Sequence, residues 1–319
     1  MMSDPPWEGD RELTREIVTE IVSDQFPAIQ VARVEFLAEG WDFEVYLVND
    51  DMIFRFPKRK DAALWIENEI AVLAALDDHM PIPVPRYTHI GKPSRAFPYA
   101  FAGCERLDGI RLFTLSPEDI PATAVARRLG RFLSGLHGFP TRGILDVRPS
   151  LPVDTEDLAH CRDEAERQYA SIRETVPEDL RPCCDDFFRE SEWVSDVPEL
   201  PRCLIHHDLS MEHVLYDRGG DEITGIIDWG DTCIGDPLRD FVGMWMWGGD
   251  EITTQALASY SGVVTIDHLP CVRLMGTCVA FGELEYGIKK DAKSNLNLGL
   301  TTLGKAFSGR DRRGTANRR

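Results

Sequence analysis

Between Cys203 and Asp231 the chain reads CLIHHDLSMEHVLYDRGGDEITGIIDWGD, and this stretch constrains the fold more than any other. Its apolar runs, CLI (203–205), HVLYD (213–217) and TGIID (224–228), are too short for helices and have the length of strands. Gly-Gly-Asp at 219–221 is a turn signal, and it folds the second run back on the third. Such a hairpin brings Asp208, His213 and Asp228 to one end. Two carboxylates and an imidazole gathered there have the chemistry to move a proton or to hold a divalent cation. Taken singly, each aspartate reads first as an ordinary turn or cap residue. The combination H-x-D-x-x-x-x-H followed by I-D-W-G-D is harder to obtain from turns alone.

The front of the chain reads differently. Apolar positions at Leu13, Ile17, Val18, Ile21 and Val22 predict a helix over about 10–26. Alternating segments, interrupted by the Asn49-Asp50-Asp51 turn, predict three antiparallel strands near 31–37, 43–48 and 52–57. AALWIENEIAVLAAL (62–76) is an amphipathic helix, ended by Pro81, Pro83 and Pro85. Two more strands are expected near 86–91 and 98–106. Beyond Asp108-Gly109 the character is helical, over 121–139, 156–174 and segments after 240. A small β-rich front and a larger helical back predict an α+β protein of two lobes, 1–103 and 104–319, with a hinge at about 103–109. The basic tail at about 309–319 reads as disordered.

These residues resemble the aminoglycoside and macrolide phosphotransferases, antibiotic kinases with a protein-kinase-like fold. The family's H-G-D-x-x-x-x-N corresponds to HHDLSMEH, its I-D-(F/W)-G to IIDWGD, and its D-P-x-x-D to Asp236-Pro237-Leu238-Arg239-Asp240. The resemblance implies that Asp208 accepts or orients the proton of the attacking hydroxyl. It implies further that His213 and Asp228 ligate Mg2+, which neutralises charge on the transferred phosphoryl group. Histidine at 213 departs from the commoner asparagine, as it does in the enzymes that modify the 2″-hydroxyl of aminoglycosides and in the macrolide enzymes. His206 would brace the loop. His207 stands where the family carries a small residue, and it reads as surface filler. Asp240 would anchor the loop backbone or cap the following helix.

In the front lobe the resemblance maps the nucleotide clamp onto FLAEGWDFEVYLV (36–48), with Gly40 alone at its turn, and onto Arg55 of MIFRFPKR (52–59). An arginine in mid-strand between Phe54 and Phe56 needs a partner, because an unpaired buried charge is expensive. Glu69 matches that partner, and Glu67 lies on a poorer face. Arginine is bidentate towards phosphate and can replace the family's lysine; a purely structural Arg–Glu pair is the plainer alternative. Backbone groups from Glu105 to Leu107 would meet the purine of ATP or GTP, which leaves the choice of base open.

The implied function is transfer of the γ-phosphate of a nucleoside triphosphate to an alcohol of an antibiotic, most simply an aminoglycoside. A macrolide 2'-phosphotransferase, a choline- or homoserine-type kinase and a nucleotide-binding pseudokinase are the alternatives. A net charge of −19 disfavours nucleic acid and suits a cationic small molecule. Asp231, Asp250, Glu251 and Trp247 are the expected acceptor-side residues, with Glu283 and Glu285 as further acids. Against a polycation stands the apolar FVGMWMWGG (241–249), which suits a macrolide face or a packed core. The eight cysteines, without a C-x-x-C spacing, read as reduced and mostly buried. A cytoplasmic monomer that neither spans nor binds a membrane completes the expectation.

Overall fold

The MIFRFP run decides how the front of the chain is layered. A computed structural model describes residues 9–76, 79–189 and 199–308, so the basic tail expected at 309–319 lies outside the described residues. Alternation sends Phe54 and Phe56 to one side of β3 (Met52–Pro57) and Arg55 to the other. The phenylalanine side is covered by α1 (Arg15–Gln25), whose Val18, Ile21 and Val22 join Tyr46, Phe54, Phe56, Phe97 and Phe101 in one core. Behind Arg55 lies α2 (Lys60–Leu76), with Ile66 packed against Phe43 and Ala102.

Around β3 the sheet is antiparallel and five-stranded. In spatial order it runs β1 (Val34–Glu39), β2 (Phe43–Val48), β3, β5 (Phe101–Glu105) and β4 (Tyr87–Gly91). The first strand begins later than expected. The backbone N–H groups of Ala32 and Arg33 are taken by the Asn49 side chain, and pairing with β2 starts only at Val34.

By its contacts the chain divides into two compact units, each discontinuous in sequence. The first comprises Met1–Arg111, Phe139–Pro152 and His213–Cys233; the second comprises Leu112–Gly138, Val153–Glu212 and Ile234–Arg319. A single cut at 103–109 therefore differs from the division by contacts. The reason is strand pairing: β6 (Ile110–Arg111) pairs with β8 (Val214–Asp217), which pairs with β9 (Glu222–Ile226). Ile226 N–H also donates to Pro83 O at 3.0 Å, tying that hairpin to the front segment. In the same unit α4 (Thr141–Val147) is followed by Arg148, which bonds Asn68 and Glu67 of α2. Glu67 is thus spent on another arginine, and Glu69 is left for Arg55.

In the second unit α3 (Ala122–His137) packs against α7 (Arg239–Leu257). The short strand β7 (Cys203–Ile205) leads into the HHD loop. A second cluster, with Tyr169, Phe187, Phe188, Phe281 and Phe307, joins α5 (Leu158–Ile172), α6 (Arg181–Arg189), α8 (Leu269–Lys290) and α9 (Lys293–Ala306). All eight cysteines are free thiols, and six are buried. Among the described residues no helix is long and apolar enough to cross a membrane.

Candidate active site

The first unit assembles a buried cation between two carboxylates. Glu69 falls within the buried stripe of α2, formed by Ala62, Ile66, Glu69, Val72, Leu73 and Leu76, so helix period carries a carboxylate into the interior. Arg55 meets it there: Nη1 is 2.8 Å from Glu69 Oε1, and Nη2 is 2.6 Å from Asp228 Oδ1. The guanidinium lies 4.5 Å from the centre of the Phe43 ring. Glu69 Oε1 also accepts from Tyr87 Oη at 2.8 Å and from Trp229 N–H at 3.4 Å. Burial pushes the Glu69 carboxyl upward, and Arg55 pulls the other way. For Arg55, burial opposes the charge, yet Glu69 and Asp228 hold it a cation well above its ordinary range.

Asp228 reaches this cluster through an unusual backbone. Ile227 N–H donates to His213 O at 2.9 Å, continuing the β8–β9 ladder by one step. At Asp228 the chain turns with φ of 64°, a left-handed value that aspartate tolerates better than most residues. Fully buried Trp229 then folds back and donates its indole N–H to Ile226 O. The result leaves the Asp228 carboxylate half exposed, with Oδ2 3.5 Å from His213 Nε2. The hairpin thus brings His213 and Asp228 to one end, as the turn at 219–221 implies.

Two consecutive cations hold the β1–β2 turn. Lys58 pairs with Glu39 and donates to Gly40 O at 3.2 Å, while Arg59 pairs with Asp42 and donates to Trp41 O at 3.0 Å. Asp42 is pushed up by burial, against Arg59, and Asp228 adds to the rise through its like charge. The turn therefore has one glycine and two basic staples in place of a glycine-rich loop.

The loop carrying Asp208 belongs to the second unit and is suspended from α7. Asp240, buried in the first turn of that helix, accepts from His206 N–H at 2.9 Å and His207 N–H at 2.8 Å. This is the anchoring role the sequence assigns to Asp240. Behind it, His137 Nε2 lies 3.1 Å from Asp240 Oδ2, and His137 Nδ1 lies 2.8 Å from Tyr260 Oη. Burial opposes the Asp240 charge, but the His137 hydrogen bond and the nearby imidazoles hold its carboxyl below the usual range. One turn along, Gly243 lets the loop approach: a Cβ there would sit 2.2 Å from Leu209 O. Ser210 N–H closes on Asp208 O at 2.9 Å.

His207 is no surface filler. Its φ of 73° is left-handed, and its buried Nε2 lies 3.7 Å from the buried Oδ2 of Asp154. Arg239 Nε is 2.6 Å from that same oxygen.

The acceptor-side expectations divide. Asp231 belongs to the first unit. Asp250 is engaged by Arg273 and by Trp245 Nε1 at 2.8 Å, and Trp247 Nε1 donates to Leu115 O at 2.8 Å. Both stabilise a break in α7 at Gly249, with φ of 67°, where Lys305 Nζ caps the carbonyls of Met246 and Trp247. Glu251 lines an open hollow with Arg127, Arg128 and Arg131. Met244, Trp245 and Met246 are buried, so the apolar segment is packed core. Glu283 bonds Asn295 and is pushed up by burial, with Glu212 adding like charge; Glu285 pairs with Lys289.

Among the described residues, no group of three His, Cys, Asp or Glu side chains is placed to hold a metal by itself. Asp228 and His213 offer one carboxylate and one imidazole. That set fits an ion such as Mg2+ that completes its shell with phosphate oxygens and water, although imidazole is a softer donor than Mg2+ prefers. Sequence reasoning missed Tyr87, Asp42, Asp154 and His137, which no motif marks. His137 alone carried a signal, as a histidine on the buried face of an amphipathic helix.

The chain is similar to several known proteins. The uncharacterized protein YcbJ of Bacillus subtilis is 26% identical over 264 residues, covering 77% of this chain and 81% of that one. The solved GDP complex of aminoglycoside 2'-phosphotransferase-IIIa superposes with a TM-score of 0.74 at 28% identity, covering 92% of this chain and 98% of that one. A GDP and kanamycin complex of APH(2")-IIIa gives 0.71 at 28% identity, with 92% and 99% covered. Its antiparallel sheet and helical part match the kinase-like fold of these enzymes. Residues 33–273 match the model of the phosphotransferase enzyme family, and the chain belongs to that family as a kinase that phosphorylates alcohol groups.

Proposed function

We propose that this chain moves the γ-phosphate of ATP or GTP to a hydroxyl of a cationic antibiotic, an aminoglycoside in the first place. The observation that carries the reading is Arg55, buried and held between Glu69 and Asp228. Such an arginine is costly as a structural device alone, since an apolar pair of similar volume would pack as well. Fixed in that position it presents a preorganised cation to nucleotide phosphates. Gly40 and its stapled turn would cover those phosphates, and the Glu105 to Leu107 backbone would meet the purine. His213 and Asp228 would hold Mg2+, which when bound neutralises charge on the phosphoryl group.

Asp208 would take the proton of the acceptor hydroxyl, and Asp240 keeps its loop in place through two backbone N–H groups. An aminoglycoside is supported by the net charge of −19 and by the likeness to APH(2")-IIIa, whose complex contains kanamycin. It is supported also by the burial of Met244, Trp245 and Met246, which withdraws them from any apolar acceptor face. Asp231 is the acceptor-side acid kept from the expected set, because the three arginines that share the hollow of Glu251 would repel a polycation. Asp250 and Trp247, engaged at the α7 break, would act by shaping that segment. The pseudokinase reading finds no supporting feature among the described residues.

The test is a coupled phosphotransfer assay with ATP and with GTP against a panel of aminoglycosides, macrolides, choline and homoserine. Turnover with an aminoglycoside supports the reading. Turnover confined to macrolides or to the small alcohols would reject the acceptor, and none with any acceptor would reject the function.

A further inference from the structure

His207 departs from the small residue its family carries, and it occupies the backbone region where glycine is favoured, with φ of 73°. A side chain kept at such a position against backbone strain points to a contact that holds it there. Its ring reaches Asp154, with Nε2 3.7 Å from Oδ2. Asp154 is itself fixed from three directions. Its N–H donates to Ile234 O at 2.9 Å, its Oδ1 accepts from Glu156 N–H at 2.9 Å, and its Oδ2 lies 2.6 Å from Arg239 Nε. His207 Nε2, Asp154 Oδ2 and Arg239 Nε are all buried atoms that meet one another without a well-formed hydrogen bond.

Arg239 and Asp240 are consecutive residues in the first turn of α7. Asp240 takes the backbone N–H of His207, while Arg239 holds the carboxylate that faces the His207 ring. The residue immediately before Asp208 is therefore clasped twice, by backbone and by side chain, from one helical turn. A glycine at 207 would keep the first clasp and lose the second.

We propose that His207 is a positioning residue: its contact with Asp154 fixes the direction in which the following residue, Asp208, presents its carboxylate. This rests on Asp208 being the base. The clasp acts on the geometry of the step and not on binding, so its loss lowers kcat while the KM values for nucleotide and acceptor stay put.

The experiment compares His207→Gly, Asp154→Ala and the double variant. Steady-state kinetics and hydrogen exchange of the 206–210 amides are measured on the full chain, with Asp208→Asn alongside. Each single variant is expected to lose about tenfold in kcat with KM unchanged, and the double variant to lose no more than either. Faster exchange at 206–210 is expected in both singles. His207→Gly should melt no lower than the parent, because glycine relieves the left-handed backbone. A His207→Gly enzyme with parental kcat, multiplicative losses in the double variant, or unchanged exchange would overturn the proposal. An active Asp208→Asn enzyme would instead remove the base assignment, and exchange would still decide whether Asp154 holds the loop.

Discussion

Replacing Arg55 by alanine leaves Glu69 as a fully buried carboxylate without its cation. The folded variant has two options, to bury the charge or to protonate it, and the cheaper one sets the cost. Protonating a carboxyl of ordinary value 4.5 at pH 7 costs about 3.4 kcal/mol, at about 1.36 kcal/mol per pH unit. That cap falls at the lower end of the roughly 3–5 kcal/mol found when one member of a buried pair is removed. The lost contact with half-exposed Asp228 adds little, being screened by solvent. The sign of the pH dependence follows. In Arg55→Ala the folded Glu69 binds its proton more tightly than the unfolded chain does. Stability relative to the parent is therefore best below about pH 4.5 and falls as pH rises, by up to about 1.4 kcal/mol per unit, until Glu69 ionises in the folded state. Urea denaturation at pH 5, 6, 7 and 8 reads this directly. Arg55→Met with Glu69→Gln keeps an acceptor for Tyr87 and Trp229, removes both charges, and should recover most of the loss with no pH slope. An Arg55→Ala variant within about 0.5 kcal/mol of the parent at pH 7, or one whose deficit ignores pH, would refute the reasoning.

Nucleotide affinity, measured by calorimetry, should fall at least tenfold in Arg55→Ala while aminoglycoside affinity is unchanged. Gly243→Ala places a Cβ against Leu209 O, which costs about 1–3 kcal/mol and should depress kcat through the displaced loop; parental kcat and melting temperature would show that the loop accommodates it. Asp240, whose folded carboxyl is held below the ordinary 3.8, contributes stability that is present above that pH and lost as pH falls through its folded value. Asp240→Asn should cost about 3 kcal/mol at pH 7 and flatten the acid limb of the stability curve, a limb that acid titration followed by circular dichroism would reveal.

Much of the candidate site was legible because its spacing is dictated by secondary structure. The period of two in MIFRFP separates Arg55 from Phe54 and Phe56, the helical stripe of α2 selects Glu69 over Glu67, and Gly219-Gly220-Asp221 closes the hairpin that joins His213 to Asp228. Tertiary partners brought together from distant segments were not legible. Asp154, on an irregular segment, and His207 meet only because Ile234 and Arg239 fix the former, and no local pattern encodes that. Trp247 and Asp250 carry the residue types of a binding face, yet the break at Gly249 turns them to Leu115 and Arg273. The discontinuous units have the same origin, since the partner of β6 is a strand a hundred residues further on.

The central claim is tested most directly by the product. After incubation with Mg2+ and ATP or GTP, kanamycin should carry one phosphoryl group on a hydroxyl, assigned by mass and phosphorus NMR. It should remain unmodified with Asp208→Asn, a variant expected to bind nucleotide as the parent does. Unmodified antibiotic across the aminoglycoside panel, or equal phosphorylation by Asp208→Asn, would contradict the account.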